Sequence, residues 1–311
     1  MVDKEYFQSC LVCNSDNSSI VETTSTMMGN QQEKWSFRKC NNCNLVFLSP
    51  RVSKENLADF YTESYLPYRG SKAWGKYADL VESDQNKIDL RRVDTVKKYA
   101  LDQSKMILDI GCGKPSFLLH AHRRMGMKAV GLDFSDEGWK EDKNQYKSLE
   151  LYKGEIEDLP STVKANVITM WHYLEHDYNP RKTLQTLSNQ NLKDTLLIIE
   201  VPNYDSYTRK KYGQFWSGYH SPRHSVLYTP DTIKKLLFSC GWNVDDLFTY
   251  GSLDPYTLDW MSRMEREGID WTGSMEPRFV NYVLGKIIRP RFYFQKSNSL
   301  GFMTVVARNK G

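Results

Sequence analysis

The pattern of apolar positions changes at about residue 105. Residues 79 to 100 place valine, isoleucine and tyrosine near helical spacing without a proline, which predicts a helix. The next stretch, KMILDIGCGKPSFLLHAHRRMGMKAVGLDFS, begins with the apolar run Met106 to Ile110, as in a buried parallel strand. A glycine-rich turn, a helix and a second apolar run, Ala129 to Leu132, follow. This alternation of strands and helices predicts an α/β fold.

Two other segments differ from this alternation. Residues 51 to 77 are rich in aromatic side chains and broken by proline and glycine, which indicates a connector with a short helix near residues 54 to 61. Residues 251 to 299 contain two helical patterns, and residues 278 to 296 suit either a lid helix or a peripheral membrane contact. The connector tyrosines, which either cover a ligand pocket or pack between domains, are Tyr61, Tyr65, Tyr68 and Tyr77.

The composition excludes several classes of protein. A hydrophobic fraction of 40% in 311 residues suits one large packed domain with a small one beside it. The net charge is only +4 and no long basic run occurs, so no nucleic-acid partner is expected. The N-terminus lacks the apolar core of a signal peptide, and no apolar run approaches the roughly 20 residues that cross a bilayer. A cytoplasmic location is therefore expected.

Four of the six cysteines form two C-x-x-C pairs near the N-terminus. Each pair can aim two thiolates at one tetrahedral metal ion, so we predict a structural zinc ribbon within residues 1 to 50. Two disulfides or idle thiols are the alternatives, and a reducing cytoplasm disfavours the disulfides. The predicted zinc ligands are Cys10, Cys13, Cys40 and Cys43. A site of four thiolates leaves no position open for catalysis.

The segment around the glycine turn carries a family resemblance. Asp109, Gly111 and Gly113 spell D-x-G-x-G after a strand, and Asp133 ends the next strand. This combination resembles the class I S-adenosylmethionine-dependent methyltransferases, although Pro115 replaces their usual third glycine. The resemblance implies a Rossmann-like sheet of seven strands with helices on both faces. Residues 1–50 would then be the ribbon, 51–104 the connector with its helix, and 105–311 the methyltransferase domain with an insertion at 251–299.

The resemblance also implies a binding site for S-adenosylmethionine. The backbone of the glycine turn would lie beside the amino-acid end of this donor, Asp133 would accept both ribose hydroxyls, and the segment KGEIEDLP would bracket the adenine. The expected donor contacts are Asp109, Gly111, Cys112, Gly113, Asp133, Phe134, Glu155, Ile156 and Trp171. Further along, ANVITMWHYLEH looks like the fourth strand and its following helix, and GFMTVVARNK looks like the seventh strand.

The stretch WHYLEH contains the H-x-x-E-H pattern of some zinc proteases. Here it follows a strand of an open α/β sheet and no third ligand is in view, so we reject the protease interpretation. Ubiquinone-type O-methyltransferases, however, place similar residues where a divalent ion can sit. A second metal at His172, Glu175 and His176 therefore remains open.

The segment FWSGYHSPRHSVLYTP follows the expected fifth strand, where the acceptor site of this family forms. We predict that His224 or His220 is the general base for the acceptor, with His172 as third candidate. Trp216, Tyr219 and Tyr228 either stack on a ring of the acceptor or belong to a packed loop.

The expected function is methyl transfer from S-adenosylmethionine to a small-molecule or glycan acceptor. The ribbon followed by FLSPR resembles a subgroup associated with sugar and polysaccharide pathways. The alternatives are a metal-assisted O-methyltransferase of a quinone-like or lipid-like acceptor, a nucleic-acid methyltransferase that uses its ribbon, and a non-catalytic cofactor-binding module.

Overall fold

The apolar runs Met106 to Ile110 and Ala129 to Leu132 lie in strands, as predicted. A computed structural model describes residues 3–6, 9–29, 33–61, 65–288 and 301–311. In chain order the strands are β1 (Lys4–Glu5), β2 (Ser18–Ser25), β3 (Lys34–Cys40), β4 (Val46–Leu48), β5 (Arg51–Val52), β6 (Met106–Ile110), β7 (Lys128–Asp133), β8 (Glu150–Lys153), β9 (Val167–Trp171), β10 (Leu196–Pro202), β11 (Val226–Leu227), β12 (Trp242–Phe248) and β13 (Phe302–Asn309).

The central sheet contains seven of these strands in the order β12-β13-β10-β9-β6-β7-β8. Strands β6 to β10 run parallel, and β13 runs antiparallel to both β10 and β12. This arrangement confirms the predicted seven-stranded methyltransferase sheet. The carboxyl ends of the parallel strands meet at one edge, which is where open α/β sheets bind ligands.

Helices cover both faces of this sheet, as predicted. The α-helices are α1 (Leu66–Arg69), α2 (Ala78–Tyr99), α3 (Ser116–Met125), α4 (Pro180–Gln190), α5 (Tyr207–Tyr212), α6 (Pro230–Ser239), α7 (Pro255–Glu267) and α8 (Phe279–Ile288). Apolar side chains of α2 and α3 pack on one face, and those of α4 and α6 pack on the other. Asn179 and Thr229 cap the starts of α4 and α6, and a proline follows each cap.

The N-terminal module shares a sheet with the methyltransferase domain. Strands β2, β3 and β4 form an antiparallel sheet whose fourth strand is β11, from far along the chain. Cys10, Cys40 and Phe47 of the module also pack in the same apolar cluster as Val226 of β11. The module is therefore continuous with the domain that carries the predicted histidines, and it is not an independent body.

The connector and the insertion both contain the expected short helices. Residues Lys54–Phe60 form a 3-10 helix, close to the predicted position. Helices α7 and α8 form the insertion, while the rest of the stretch proposed for membrane contact, 289–296, lies outside the described residues. Across the described ranges, no helix has both the length and the apolar character that crossing a membrane requires.

Candidate active site

The glycine turn between β6 and α3 is held open by the end of the neighbouring strand. Gly111 and Gly113 have φ values of +73° and +47°, which favour glycine. The Asp133 carboxylate accepts hydrogen bonds from the backbone N–H groups of Gly113 at 2.9 Å and Ser135 at 3.0 Å. A Cβ on Gly113 would meet no atom within 4 Å, so the space beside Gly113 is open. The turn and Asp133 thus fit a ligand with ribose hydroxyls.

Three other predicted donor contacts lie beneath this turn. Asp109 and Cys112 are buried, and the Asp109 carboxylate accepts a hydrogen bond from the Thr169 hydroxyl at 2.6 Å. Burial raises the pKa of Asp109 to about 7. Trp171 is also buried and packs edge-on against Phe117, with ring centroids 5.4 Å apart. These side chains form the floor of the site.

The remaining predicted donor contacts lie at its rim. Phe134 is 52% exposed, which leaves its ring free to contact a ligand. The Glu155 carboxylate caps the following 3-10 turn and lies 2.9 Å from the Lys54 ammonium group. Ile156 is buried in the core below them. The structure thus brings all the predicted donor residues to one end of the sheet.

The stretch after β9 corrects one prediction. Residues 172 to 178 form a turn, and the next helix, α4, begins only at Pro180. The turn begins at His172, whose φ of +58° is left-handed and whose backbone N–H donates to the Glu200 carbonyl. The expected helix directly after the fourth strand is therefore wrong.

The side chain of His172 lies between two buried carboxylates. Its Nε2 atom is 2.9 Å from Glu200 Oε1, and its Nδ1 atom is 3.5 Å from Glu175 Oε1. Burial alone would lower the pKa of His172, but these two carboxylates raise it to about 9. Burial would likewise raise the pKa of Glu200, but His172 lowers it to about 2. His172 is therefore a charged group near neutral pH.

Three other histidines lie together, and we call them the histidine cluster: His176, His220 and His224. The His176 and His224 rings are perpendicular, with centroids 4.5 Å apart, and the His220 and His224 centroids are 4.9 Å apart. Burial lowers the pKa of each of the three, so all are neutral near pH 7. The structure thus brings the two leading base candidates together and adds His176 to them.

Three connector tyrosines, Tyr61, Tyr65 and Tyr68, form a tyrosine wall from the donor rim to this cluster. The Tyr61 ring lies 5.7 Å from that of Phe134, and its hydroxyl is 2.9 Å from Nδ1 of His176. The Tyr65 hydroxyl is 2.6 Å from Nε2 of His220. These tyrosines therefore line the site, whereas Tyr77 stacks on Phe279 of α8 at 4.1 Å.

Residues 215 to 228, which we call the histidine segment, are held in place by an arginine. The guanidinium of Arg223 is buried and donates to the backbone carbonyls of Phe60, Met27 and Met28. Its role in this structure is to tie the histidine segment to the connector and the N-terminal module.

The three aromatic residues of this segment pack in the protein core. Trp216, Tyr219 and Tyr228 are all fully buried. Tyr219, for example, packs between Phe37 at 4.7 Å and Trp216 at 5.2 Å. These rings therefore belong to a packed loop, the other alternative, because all three are buried within the protein and cannot stack on an acceptor.

Sequence reasoning missed two residues of the site. Glu200, which holds His172 and accepts hydrogen bonds from Ser252, is the one acidic residue in the apolar run LLIIEV, and that contrast was an available signal. Tyr173 lies over the glycine turn, since a Cβ on Gly111 would be 2.6 Å from its ring. Only the fold brings Tyr173 there, so no local pattern could have indicated it.

The sheet order, the glycine turn and the acidic strand end together define an S-adenosylmethionine-dependent methyltransferase. The sequence matches the family described as a methyltransferase domain over residues 85–247, which is more than half of the chain. The protein belongs to this family and is an enzyme that uses S-adenosylmethionine.

Comparison with solved structures agrees with this fold. A chain from a complex of the Haloferax volcanii Trm112 methyltransferase activator is 14% identical with a TM-score of 0.51, over 78% of this chain and 97% of that one. A coclaurine N-methyltransferase bound to N-methylheliamine and SAH is 14% identical with a TM-score of 0.47, over 71% and 72% of the two chains. At 14% identity the first likeness concerns the fold alone, and the second, with its lower TM-score of 0.47, carries no argument. A search of curated protein sequences finds no match.

Proposed function

We propose that this methyltransferase acts on a small-molecule or glycan acceptor, such as a sugar, nucleotide sugar or polysaccharide. The observation that carries the proposal is the continuous line of contacts from Phe134 at the donor rim, through Tyr61, to the histidine cluster. Aromatic walls with a few convergent polar groups suit a compact ring-shaped ligand. The net charge of +4, without a long basic run, does not favour a nucleic-acid backbone.

The chain's own residues would align the acceptor and take its proton. When bound, S-adenosylmethionine supplies a methyl group on a sulfonium, which is already activated for transfer. Burial raises the pKa of Tyr65 to about 12, so its hydroxyl remains protonated and can donate to Nε2 of neutral His220. An acceptor hydroxyl in the place of the Tyr65 hydroxyl would give its proton to this nitrogen while its oxygen bonds the methyl carbon and the methyl–sulfur bond breaks.

The other two candidates for the general base, His224 and His172, differ in their suitability. His224 Nδ1 lies 2.8 Å from the Gly218 carbonyl, which can only accept, so Nδ1 carries the proton and Nε2 is the unprotonated nitrogen. His224 therefore remains a second candidate. His172 is already charged between two carboxylates, and we assign it an orienting role.

Methyl transfer to fractionated extracts tests this proposal. The protein would be incubated with S-adenosylmethionine labelled in the methyl group and with separate sugar, nucleotide-sugar, lipid and RNA fractions of its host. We expect the label in a sugar or nucleotide-sugar fraction. Label found solely in RNA or in lipid would contradict the proposed acceptor class.

The donor assignment makes a second prediction. Asp133→Ala should weaken S-adenosylmethionine binding at least about tenfold, because two ribose hydroxyls lose a charged acceptor worth roughly 1.5–3 kcal/mol per hydrogen bond. Calorimetric titration measures the affinity. Asp136→Ala removes an exposed carboxylate that pairs with Lys153 at 2.9 Å and serves as the matched control. Equal affinities for Asp133→Ala and the wild type would show that Asp133 does not hold the ribose.

We also propose that the four N-terminal cysteines bind zinc. The Sγ atoms of Cys10 and Cys43 are 3.5 Å apart, as are those of Cys13 and Cys40, and the four ligand atoms lie within 4.8 Å of one another. These distances exceed the roughly 2.05 Å of a disulfide and suit tetrahedral thiolate ligands about 2.3 Å from one ion. The ion would contribute folding free energy to the module.

The zinc site can be tested separately from any other metal. Freshly reduced protein should release one zinc equivalent when a mercurial reagent modifies its thiols, because the reagent attacks thiolate ligands. A colorimetric zinc indicator follows the release. Protein that releases no zinc would contradict the assignment, and Cys240→Ser, which removes a buried thiol outside the site, should release as much as the wild type.

A further inference from the structure

Glu175 carries a buried carboxylate that the proposed methyl transfer does not use. Its side chain is only 1% exposed, and within the described residues neither of its carboxylate oxygens has a hydrogen-bond partner. His172 lies close to it, with Nδ1 3.5 Å from Glu175 Oε1, but the Nε2 atom of His172 is bound by Glu200. Burying a carboxylate without hydrogen bonds or adequate counter-charge is costly.

The cations near Glu175 are bound by other groups. His172 is shared between Glu175 and Glu200, and Arg92 lies 3.6 Å from another buried carboxylate, Asp89. Arg223, on the other side, donates its hydrogen bonds to three backbone carbonyls. Within the described residues, both oxygens of Glu175 therefore lack a hydrogen-bond donor, and a bound cation would give them a direct partner.

The histidine cluster offers ligands for that cation. One ligand atom from each of Glu175, His176 and His224 lies within 4.8 Å of the other two. Two imidazoles and one carboxylate are a donor set for divalent first-row metals, and they leave coordination positions open. We propose that Glu175, His176 and His224 form a binding site for one divalent first-row transition-metal ion, separate from the four cysteines.

Surrounding hydrogen bonds hold two of these ligands, Glu175 and His224, in place. The Gly218 carbonyl lies 2.8 Å from Nδ1 of His224, which leaves Nε2 free as a ligand atom. The backbone carbonyl of Glu175 accepts from the N–H groups of Ser225 at 2.8 Å and Val226 at 3.2 Å, so the turn after β9 is tied to the histidine segment. Fixed partners of this kind orient the ligands of metal sites.

The site refines the proposed function, on which this step rests. An ion at Glu175, His176 and His224 would lie beside Tyr61, on the acceptor side, and would supply Lewis acidity toward an oxygen of the acceptor. The acceptor class would then be one with a hydroxyl group. His224 would serve as a ligand, and the role of base would fall to His220.

Manganese binding to the zinc-loaded full chain tests the site. Mn²⁺ is a suitable probe because thiolates favour zinc whereas carboxylate ligands suit manganese. Electron paramagnetic resonance measures free Mn²⁺ during the titration, and elemental analysis counts any metal that co-purifies. Bound and co-purified metal at this site should total one equivalent per chain. Glu175→Gln and His224→Asn should each weaken Mn²⁺ binding at least about 100-fold, since even partners of ligands are worth 10–100-fold.

Control variants distinguish loss of a metal ligand from a general disturbance of the fold. His220→Asn leaves all three proposed ligands, and His120→Asn changes a histidine of α3 that bonds Asn86, so both should bind Mn²⁺ like the wild type. Thiol-released zinc and donor affinity should stay unchanged in Glu175→Gln if that variant is folded. If Glu175→Gln fails to fold, His224→Asn retests metal loss, because it leaves the charges of Glu175, His172 and Glu200 in place.

The outcomes distinguish this inference from the proposed function. No metal beyond the cysteine zinc, or equal metal binding by the wild type and both ligand variants, would overturn the site. Sugar methylation would then still stand. Metal bound through Glu175 and His224 without any sugar methylation would support the site and contradict the acceptor class.

Discussion

His220→Asn is expected to lower methyl-transfer turnover by roughly 10²–10⁴-fold, the usual contribution of a general base. Donor affinity should stay unchanged, because His220 lies on the proposed acceptor side, with its Nε2 atom 2.6 Å from the Tyr65 hydroxyl. Asparagine suits the position, since His220 has a left-handed φ of +41° that asparagine tolerates well. Single-turnover kinetics with labelled S-adenosylmethionine and the accepted fraction measures the methyl-transfer step directly.

Two further variants serve as controls for the effect of His220→Asn on turnover. Tyr65→Phe removes one hydrogen bond to His220 and keeps the ring, so it should cost much less turnover than His220→Asn. His120→Asn, which lies on α3 away from the cluster, should keep wild-type turnover. If His220→Asn also keeps near-normal turnover with intact donor binding, another group takes the proton or the acceptor requires no base.

The fold could be predicted because its evidence is local. The run MILDI, the glycines after it and the acidic end of the next strand lie within thirty residues, and each follows from backbone requirements of a parallel sheet and a tight turn. The helix at residues 79 to 100 follows from spacing alone, and the structure has it at Ala78–Tyr99. The turn at 172 to 178 was missed because the spacing of its residues also suits a helix. Only the left-handed φ of His172, which the sequence does not show, distinguishes the turn from a helix.

The acceptor side could be predicted only in part because it is assembled from distant segments. The histidine cluster combines His176, after β9, with His220 and His224, from the segment before α6. Tyr61 and Tyr65 come from the connector, and nothing in their own surroundings indicates which histidine each one meets. The alternative that these tyrosines cover a ligand pocket agrees with their position along the site.

The link between the ribbon and the histidine segment was also invisible in the sequence. Strand β4 pairs with β11, which begins two residues after His224, and the Leu48 N–H donates to the Ser225 carbonyl. The Thr24 and Ser221 hydroxyls are 2.6 Å apart, and Arg223 binds the carbonyl of Met27. A separate ribbon would leave the histidine segment unaffected by zinc loss, whereas these contacts make the N-terminal module a support of that segment.

Cys40→Ser should therefore disorder the histidine segment as well as the N-terminal module. Structural zinc contributes roughly 10–16 kcal/mol in small modules, which is comparable to the roughly 5–15 kcal/mol total stability of a typical protein. Loss of a buried ligand at the end of β3 should then release β3 and β4, and with them the partner of β11. Hydrogen exchange followed by mass spectrometry should show faster exchange in residues 10–48 and in residues 215–228.

The donor side gives the internal reference for this experiment. The glycine turn and Asp133 belong to the central sheet, which does not include the strands of the module, so S-adenosylmethionine affinity should fall far less than turnover does. Cys240→Ser removes a buried thiol near Arg181 and should leave exchange in the histidine segment at the wild-type rate. Fast exchange in residues 10–48 with full protection of residues 215–228 would show that the ribbon folds separately. Joint loss of protection would instead show that zinc at the four cysteines helps to hold His220 and His224 in place, because β4 and β11 are strands of one sheet.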